Sequence, residues 1–374
     1  MKLMHLSDLH IGKRFCGISL LEDQRYILGK ILEIVREEQP DGILIAGDIY
    51  DKSVPSAEAV RLFDEFLTHL AMLRQRVFLI PGNHDSAERI AFGAQMLRHS
   101  GIYLSTAFSD GIVSIPLADA YGTAMVYLLP FLKPAHVRAK YPDEEIIDYS
   151  DAMQVVIDHL HLDPTIRNVA VAHQFVRGST RCESEDLSIG GLDELCADVF
   201  APFDYTALGH LHSPQNVNDT IRYCGTPLKY SFSELYHKKS LTIVELAEKG
   251  NLTVRTVPLT PLHEVCELRG NFAELTDPVF YQKQDRDCYY RIILTDEESV
   301  TDAVQYLRQI FPNLASLSYD NTRTRACATV NGTDPIEEQQ PLELFAALYQ
   351  QQNGMELSEQ QRELCCCFME EIWG

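Results

Sequence analysis

Five apolar runs of strand character in this chain each stop at a short polar signature: Asp8-Leu9-His10, Gly47-Asp48, Gly82-Asn83-His84-Asp85, His173-Gln174 and Gly209-His210-Leu211-His212. In open α/β sheets the loops beyond the carboxyl ends of the strands converge, so side chains far apart along the chain meet there. Asp, Asn and Gly are also ordinary turn formers after strands. Five such signatures at equivalent positions, four of them carrying histidine, exceed what turn formation needs. Together they offer oxygen and imidazole donors without thiolate, a set suited to a pair of divalent ions.

The surrounding pattern fixes the architecture. Residues 1–6 form a strand, and residues 20–38 follow as a helix, with Leu21, Ile27, Ile31, Ile34 and Val35 on one face. Pro40-Asp41-Gly42 resets the chain into the strand 43–46. A second helix over 57–74 is expected to turn Val60, Phe63, Leu67, Leu70 and Leu73 inward, before the strand 77–80 ends at Pro81-Gly82. This βαβαβ order predicts an α/β fold whose sheet carries helices on both faces. Further strands are expected at 124–129, 168–172, 205–208, 222–224 and 240–245. After about residue 258 the texture changes to a compact strand, helix and strand over 289–294, 298–310 and 315–319, with 325–330 as a possible added strand. Residues 331–340 read as a linker. The tail resumes helical spacing at Leu342, Leu344, Phe345, Leu348, Leu357, Leu364, Phe368 and Ile372, which suits either packing on the chain itself or a partner.

Bulk properties set limits. With 374 residues, 45% of them hydrophobic, the chain can bury a full core and has room for two or three domains. It opens directly on a strand, so no leader is expected, and its longest apolar stretch, 124–132, is far too short to span a bilayer. Ten cysteines with no C-x-x-C pair, three of them adjacent at Cys365, Cys366 and Cys367, read as reduced thiols used as small hydrophobes in the cytoplasm. The formal charge of −22 argues that the chain alone does not grip nucleic acid tightly. Basic residues nonetheless gather near the signatures, at Lys13, Arg14, Arg89, Arg177, Arg181 and Lys229, and of these Lys13, Arg14, Arg89, Arg177 and Lys229 are the candidate nucleic-acid contacts.

The residue types imply roles. Asp8 and His10 alternate across a strand end and can face one ion. Asp48 is a natural bridge, because a carboxylate has two oxygens and can hold two cations at once. Asn83 adds a carbonyl oxygen, and His173, His210 and His212 add imidazoles; two such ions lower the pKa of a water enough to make it a nucleophile. His84, next to Asn83, is expected to project toward substrate and protonate a leaving alkoxide. Asp85 is expected to orient either the loop backbone or His84. His5, His69 and the remaining histidines read as packed or solvated.

In their order, D-x-H, G-D, G-N-H-D, H and G-H-x-H resemble the calcineurin-like metallophosphoesterases. Residues 8–12, 82–86, 173–176 with Ser184 and Glu185, 209–215 and 225–234 are similar, more narrowly, to the bacterial nuclease subunits that act with an SbcC-type ATPase. The resemblance is strong over residues 1–260 and one of layout beyond. It implies a calcineurin-like β-sandwich flanked by helices over 1–265, a small α+β capping domain at the DNA entrance over 266–332, and a linker with a helical partner-binding tail over 333–374. Asp8, His10, Asp48 and His212 would hold one manganese ion and Asp48, Asn83, His173 and His210 the other, with His84 catalytic. Asp51 stands where some relatives carry a histidine, so it is left out of the ligands. The implied activity is a manganese-dependent DNA exonuclease and endonuclease on broken or hairpin ends, serving DNA repair, recombination and replication, with an ATPase partner docked on the tail and two copies paired through the first helices. A phosphomonoesterase or cyclic-nucleotide phosphodiesterase of the same fold, or a scaffold without activity, are the alternatives.

Overall fold

The structure is a computed structural model that describes residues 1–105, 107–182, 185, 194–328 and scattered positions between 342 and 368. The chain divides into two compact units, Met1–Cys266 and Glu267–Gly374.

The first unit runs β1 (Lys2–Leu6), α1 (Leu21–Glu38), β2 (Gly42–Ala46), α2 (Ala57–Met72), β3 (Val77–Ile80), β4 (Ile102–Leu104), β5 (Val113–Asp119) and β6 (Gly122–Leu129). It continues through α3 (Pro134–Lys140), α4 (Tyr149–Asp158), β7 (Arg167–His173), β8 (Tyr205–Gly209), β9 (Gln215–Asn216), β10 (Ile221–Tyr223), β11 (Ser240–Leu246) and β12 (Leu252–Pro258). Two six-stranded sheets result, one ordered β12-β11-β1-β2-β3-β4 and the other β9-β10-β8-β7-β6-β5. Strands β1 to β4 are parallel, as are β6, β7, β8 and β10, while antiparallel strands close the edges.

The two sheets face each other. Leu3, Leu44, Phe78 and Ile80 from the first pack with Leu128, Val169, Val171 and Ala207 from the second, all buried. Each such side chain contributes roughly 1.5–3 kcal/mol on leaving water. On the outer side of the second sheet, Val137 of α3 and Met153, Val156 and Ile157 of α4 cover Leu129, Ala170, Ala172 and Leu208. A sheet with helices on both faces is therefore not what forms: the inner face of each sheet is covered by the other sheet. Strands β2, β3, β7 and β8 are buried along their whole length, and a strand buried on both sides reads as a continuous apolar run whatever covers it.

Helix α1 buries Ile27, Ile31 and Val35 as expected. Helix α2 starts at Ser56, whose hydroxyl accepts from Ala59 N at 3.2 Å, but the stripe it buries is Ala59, Leu62, Phe63, Phe66 and Leu70, and Val60 is exposed. Apolar residues spread over more than one face of that helix, so spacing alone left its orientation open.

In the second unit, β13 (Val265–Gly270), β14 (Tyr289–Leu294) and β15 (Leu314–Tyr319) form a three-stranded sheet, with β14 and β15 parallel. Helix α5 (Ala303–Ile310) buries Leu307, and the Tyr290 and Phe311 rings meet at 4.8 Å. The added strand anticipated at 325–330 is instead a helix, Thr322–Ala328: Asn321 Oδ1 accepts from Thr324 N at 3.0 Å and starts it, an N-terminal cap that outweighs β propensity. Residues 329 and 330 and the linker 331–340 lie outside the described residues, as does most of the tail. Among the described residues, no helix is long and apolar enough to cross a membrane.

Candidate metal centre

Strands β1, β2 and β3 of one sheet and β7 and β8 of the other bring their carboxyl ends to one place, and hydrogen bonds cross between them. His173 Nδ1 meets Ala46 O at 2.9 Å, and His210 N donates to Asp8 Oδ1 at 2.9 Å. Asp8, His10, Asp48 and His210 all have left-handed backbone, with φ of 51°, 43°, 49° and 105°. Asp and His tolerate that region better than most residues, and a bent strand end aims each side chain off the sheet axis. The approach is close enough to demand glycine: a Cβ on Gly209 would lie 1.8 Å from Ala46 O, and one on Gly82 2.2 Å from Asp48 Oδ1.

All seven candidate ligands gather here. Asp48 Oδ2 lies 3.4 Å from His173 Nε2 and 3.6 Å from His10 Nε2, so one carboxylate reaches both halves of the cluster. In one half, Asn83 Oδ1 is 2.9 Å from His173 Nε2 and 3.0 Å from His210 Nδ1. In the other, His10 Nε2 and His212 Nε2 face each other at 3.2 Å. Asp8 is fully buried, and its Oδ2, like His10 Nδ1, has no hydrogen-bond partner among the described residues.

This arrangement fits divalent cations. With Nδ1 engaged by Ala46 O, His173 turns Nε2 toward Asn83 Oδ1, and either a proton or a cation has to lie between them. With its Nδ1 proton given to Glu234, His212 turns Nε2 toward His10 Nε2. Lone pairs aimed at one another across about 3 Å repel unless positive charge lies among them. The titration of the groups says the same. Burial disfavours charge on His173, but the Asp48 and Asp8 carboxylates outweigh it and push the imidazole up to about 9. Burial raises Asp8 to about 6, whereas the surrounding imidazoles, led by His173, hold Asp48 well below the usual carboxylate range despite its burial.

His84 stands beside this cluster and is part-exposed. Its N–H donates to Asp48 Oδ1 at 3.0 Å, its Nδ1 is 3.2 Å from Asp51 O, and its ring stands edge-on to His10 at 5.0 Å. Asp85 orients loop backbone, not His84: its carboxylate accepts from Ile49 N, Tyr50 N and Gly82 N.

The roles of several supporting residues were invisible to pattern reading. Glu234 is fully buried, with Oε1 3.2 Å from His212 Nδ1 and Oε2 2.5 Å from the buried Lys239 Nζ. Lys239 also donates to His212 O at 2.9 Å and Thr226 Oγ1 at 2.6 Å. Glu185 Oε1 accepts from His212 N at 2.6 Å. Gln24 of α1 donates to His10 O at 2.8 Å and accepts from Gly12 N at 2.9 Å, tying that helix to the first signature. The motif 225–234 contained Glu234, but only the fold shows what it touches.

The basic residues are more dispersed. Lys13 pairs with Asp51 at 2.8 Å, Arg177 with Glu194 at 3.6 Å and Lys229 with Glu264 at 2.7 Å. Arg14 is exposed and bonds Gly17 O, Arg89 is exposed on the short helix Ala87–Ile90, and Arg181 lies over the Phe175 ring at 3.5 Å. His5 is a packed histidine, bonded to Tyr205 Oη at 2.9 Å and Leu208 O at 3.1 Å, and burial lowers it to about 3. Cys224 is buried, its thiol 3.0 Å from His5 O, as a small hydrophobe would be.

Paired mixed sheets with an Asp/Asn/His cluster at their strand ends define a calcineurin-like phosphoesterase, and residues 1–214 match the family model of that description. Residues 259–353 match the SbcD C-terminal model, described as a type 5 capsule protein repressor C-terminal domain. Over 323 residues the chain is 33% identical to the SbcD component of the SbcCD nuclease of Staphylococcus epidermidis, covering 85% of each protein. Its identity to the same component in Staphylococcus saprophyticus is 34%, over 85% of this chain and 84% of that one. The chain belongs to the SbcD family of nucleases, and is a phosphodiester hydrolase that uses divalent metal ions. A dimetal phosphatase from Danio rerio covers 70% of this chain at 12% identity and a TM-score of 0.42, a likeness too loose to add to that assignment.

Proposed function

We propose that this chain is the DNA-cutting component of a two-part complex with an SbcC-type ATPase, acting in the cytoplasm as a double-strand exonuclease and a single-strand or hairpin endonuclease. The observation that carries the reading is the position of Asp48, whose Oδ2 lies within 3.6 Å of an imidazole nitrogen in each half of the cluster. Asp8, His10, Asp48 and His212 would hold one manganese ion, and Asp48, Asn83, His173 and His210 the other. A pair of such ions supplies an activated water and neutralises charge on the phosphate.

The chain's own residues do the rest. The Nδ1 of His84 donates to Asp51 O, which leaves Nε2, 3.9 Å from Asp48 Oδ2, to carry a proton to the leaving oxygen. Glu234 keeps the His212 proton on Nδ1, so that Nε2 remains a donor atom. The aspartates at the strand ends are desolvated and aimed by backbone that folding has already bent, so little reorganisation remains for the reaction.

Partner docking is supported by the tail. Phe345, Leu348, Leu364 and Phe368, four members of its apolar series, are exposed. Large apolar side chains left in water suit a protein partner. A charge of −22 is a further reason for the ATPase to supply much of the DNA affinity. Residues 266–332 would cap the DNA entrance, and Lys13, Arg14, Arg89, Arg177 and Lys229 would meet the backbone. Two copies would pair through α1 and α2, between which Leu28, Leu32, Leu62 and Phe66 line a groove.

The test is direct. With manganese, the purified chain should degrade linear DNA, and Asp48→Ala or His84→Gln should abolish the activity. Cleavage that survives both substitutions contradicts this reading.

A further inference from the structure

A cavity of about 670 Å³ begins where the cluster of candidate ligands ends. Asn83, which touches His173 and His210 on one side, is part of its lining on the other, together with Phe131, Phe108, Lys133, His136 and Lys140. Its size lies within the roughly 300–1,000 Å³ of sites for small organic groups.

The aromatic walls are held in place. Phe131 is half-buried; its ring lies nearly parallel to His210, at 6.5 Å and 22°, and edge-on to His173 at 6.2 Å, while its N–H donates to Pro81 O at 3.3 Å. Phe108 is fixed from the other side by Lys140, whose Nζ donates to Phe108 O at 2.9 Å and lies 4.9 Å from the ring. The acids of the lining are engaged: Asp85 with three backbone N–H groups and Glu88 with Ser86 Oγ. Lys133 and His136 are exposed.

We infer that this cavity seats the nucleoside joined to the phosphate being cut, with Phe131 as the stacking surface for its base and Lys133 meeting the next phosphate along the strand. The inference rests on the reading of the chain as a nuclease. Rigid aromatic rings flanked by cations are how proteins hold unpaired bases without regard to sequence. A second cavity of about 690 Å³, beside Ile11, Lys13 and Asp51, serves as a contrast. No aromatic ring lies in its lining, and Lys13 is already paired with Asp51, so it lacks the surface a base needs.

Calorimetric titration of the manganese-loaded chain with thymidine 5′-phosphate, thymidine 3′-phosphate and methyl phosphate tests the assignment. At least one thymidine phosphate should bind about tenfold or more tightly than methyl phosphate, the scale expected of one stacked base. Phe131→Leu, which keeps apolar bulk but removes the ring, should erase most of that preference, and the exposed Lys133→Ala should reduce it for a thymidylate dinucleotide. Equal affinity for all three ligands, or a preference untouched by Phe131→Leu, overturns the inference. Cleavage of linear DNA by the same preparation separates this outcome from failure of the nuclease reading, since an enzyme that cuts DNA yet shows no nucleoside preference loses only the cavity.

Discussion

Glu234 Oε1 sits 3.2 Å from His212 Nδ1, and neither side chain is open to solvent. A buried carboxylate behind an imidazole selects its tautomer and holds its ring plane, and loss of such a partner lowers metal affinity about 10–100-fold. Glu234→Gln should therefore weaken manganese binding by that order, read by calorimetry. Histidine ¹⁵N shifts followed against pH should show His212 of the metal-free variant losing its proton at lower pH than in the parent, because against burial the Cys182 thiol and the Glu234 carboxylate raise it. Unchanged affinity and an unchanged titration would remove Glu234 from this role.

Lys239 balances the same carboxylate, whose Oε2 it meets at 2.5 Å. Burial pushes the ammonium down and Glu234 holds it up, so the pair is stable only as a pair. Lys239→Met strands a buried charge, at a cost of about 3–5 kcal/mol. Lys239→Met combined with Glu234→Gln should recover much of that loss in denaturant unfolding. If the double variant is no more stable than the single, the two side chains are not coupled.

Gly82 has no room for a side chain, because a Cβ would lie 2.2 Å from Asp48 Oδ1 and 2.5 Å from Asp48 N. Gly82→Ala must displace the Asp48 carboxylate or the loop that carries Asn83 and His84. Activity should fall at least about a hundredfold while the circular dichroism of the folded chain is retained, since misplacement of a reacting group by about 1 Å costs that much. Near-normal turnover in Gly82→Ala would mean that Asp48 need not hold its present position.

Far from the site, Arg167 joins Asp119 at 2.6 Å, and the N-terminal amine reaches the same carboxylate at 2.7 Å. The guanidinium first, and the amine with it, hold Asp119 below the usual carboxylate range against the effect of burial. A folded-state pKa below the unfolded one adds stability that is present above the unfolded value and is lost as pH falls through the folded one. Asp119→Asn should thus be less stable than the parent near about pH 7, and the gap should narrow below about pH 4. Denaturant midpoints across that range read it; a gap that widens in acid contradicts the sign.

Chelation offers a further check. Ions that bind the folded cluster stabilise it by about 2.7 kcal/mol at a concentration 100 times Kd. Adding manganese to the metal-free chain should raise Tm by several degrees, and Asp48→Ala should abolish most of the shift.

The cluster was legible in the chain because every candidate ligand ends or follows a buried strand, and strand ends converge whatever the details of packing. The partners behind those ligands were not. Glu234 lies 22 residues from His212 on a short 3-10 turn, Phe232–Glu234, and Gln24 is a helix residue that reaches back to His10; such contacts depend on tertiary placement and leave no periodic trace. The same limit explains the pairing of sheets. Val169 and Ala170 are both apolar, yet one faces the sister sheet and the other faces α4, and hydrophobicity cannot tell a sheet from a helix as the covering layer. The basic residues near the signatures were easy to find, but pattern could not show that Lys13, Arg177 and Lys229 already have acidic neighbours.

Crystals of the chain grown with manganese, measured at the metal's absorption edge, address the centre itself. Two anomalous peaks about 3.5–4 Å apart should flank the Asp48 carboxylate, one beside His10 and His212 and the other beside Asn83, His173 and His210. A single peak, or two peaks elsewhere with Asp48 touching neither, would contradict the account.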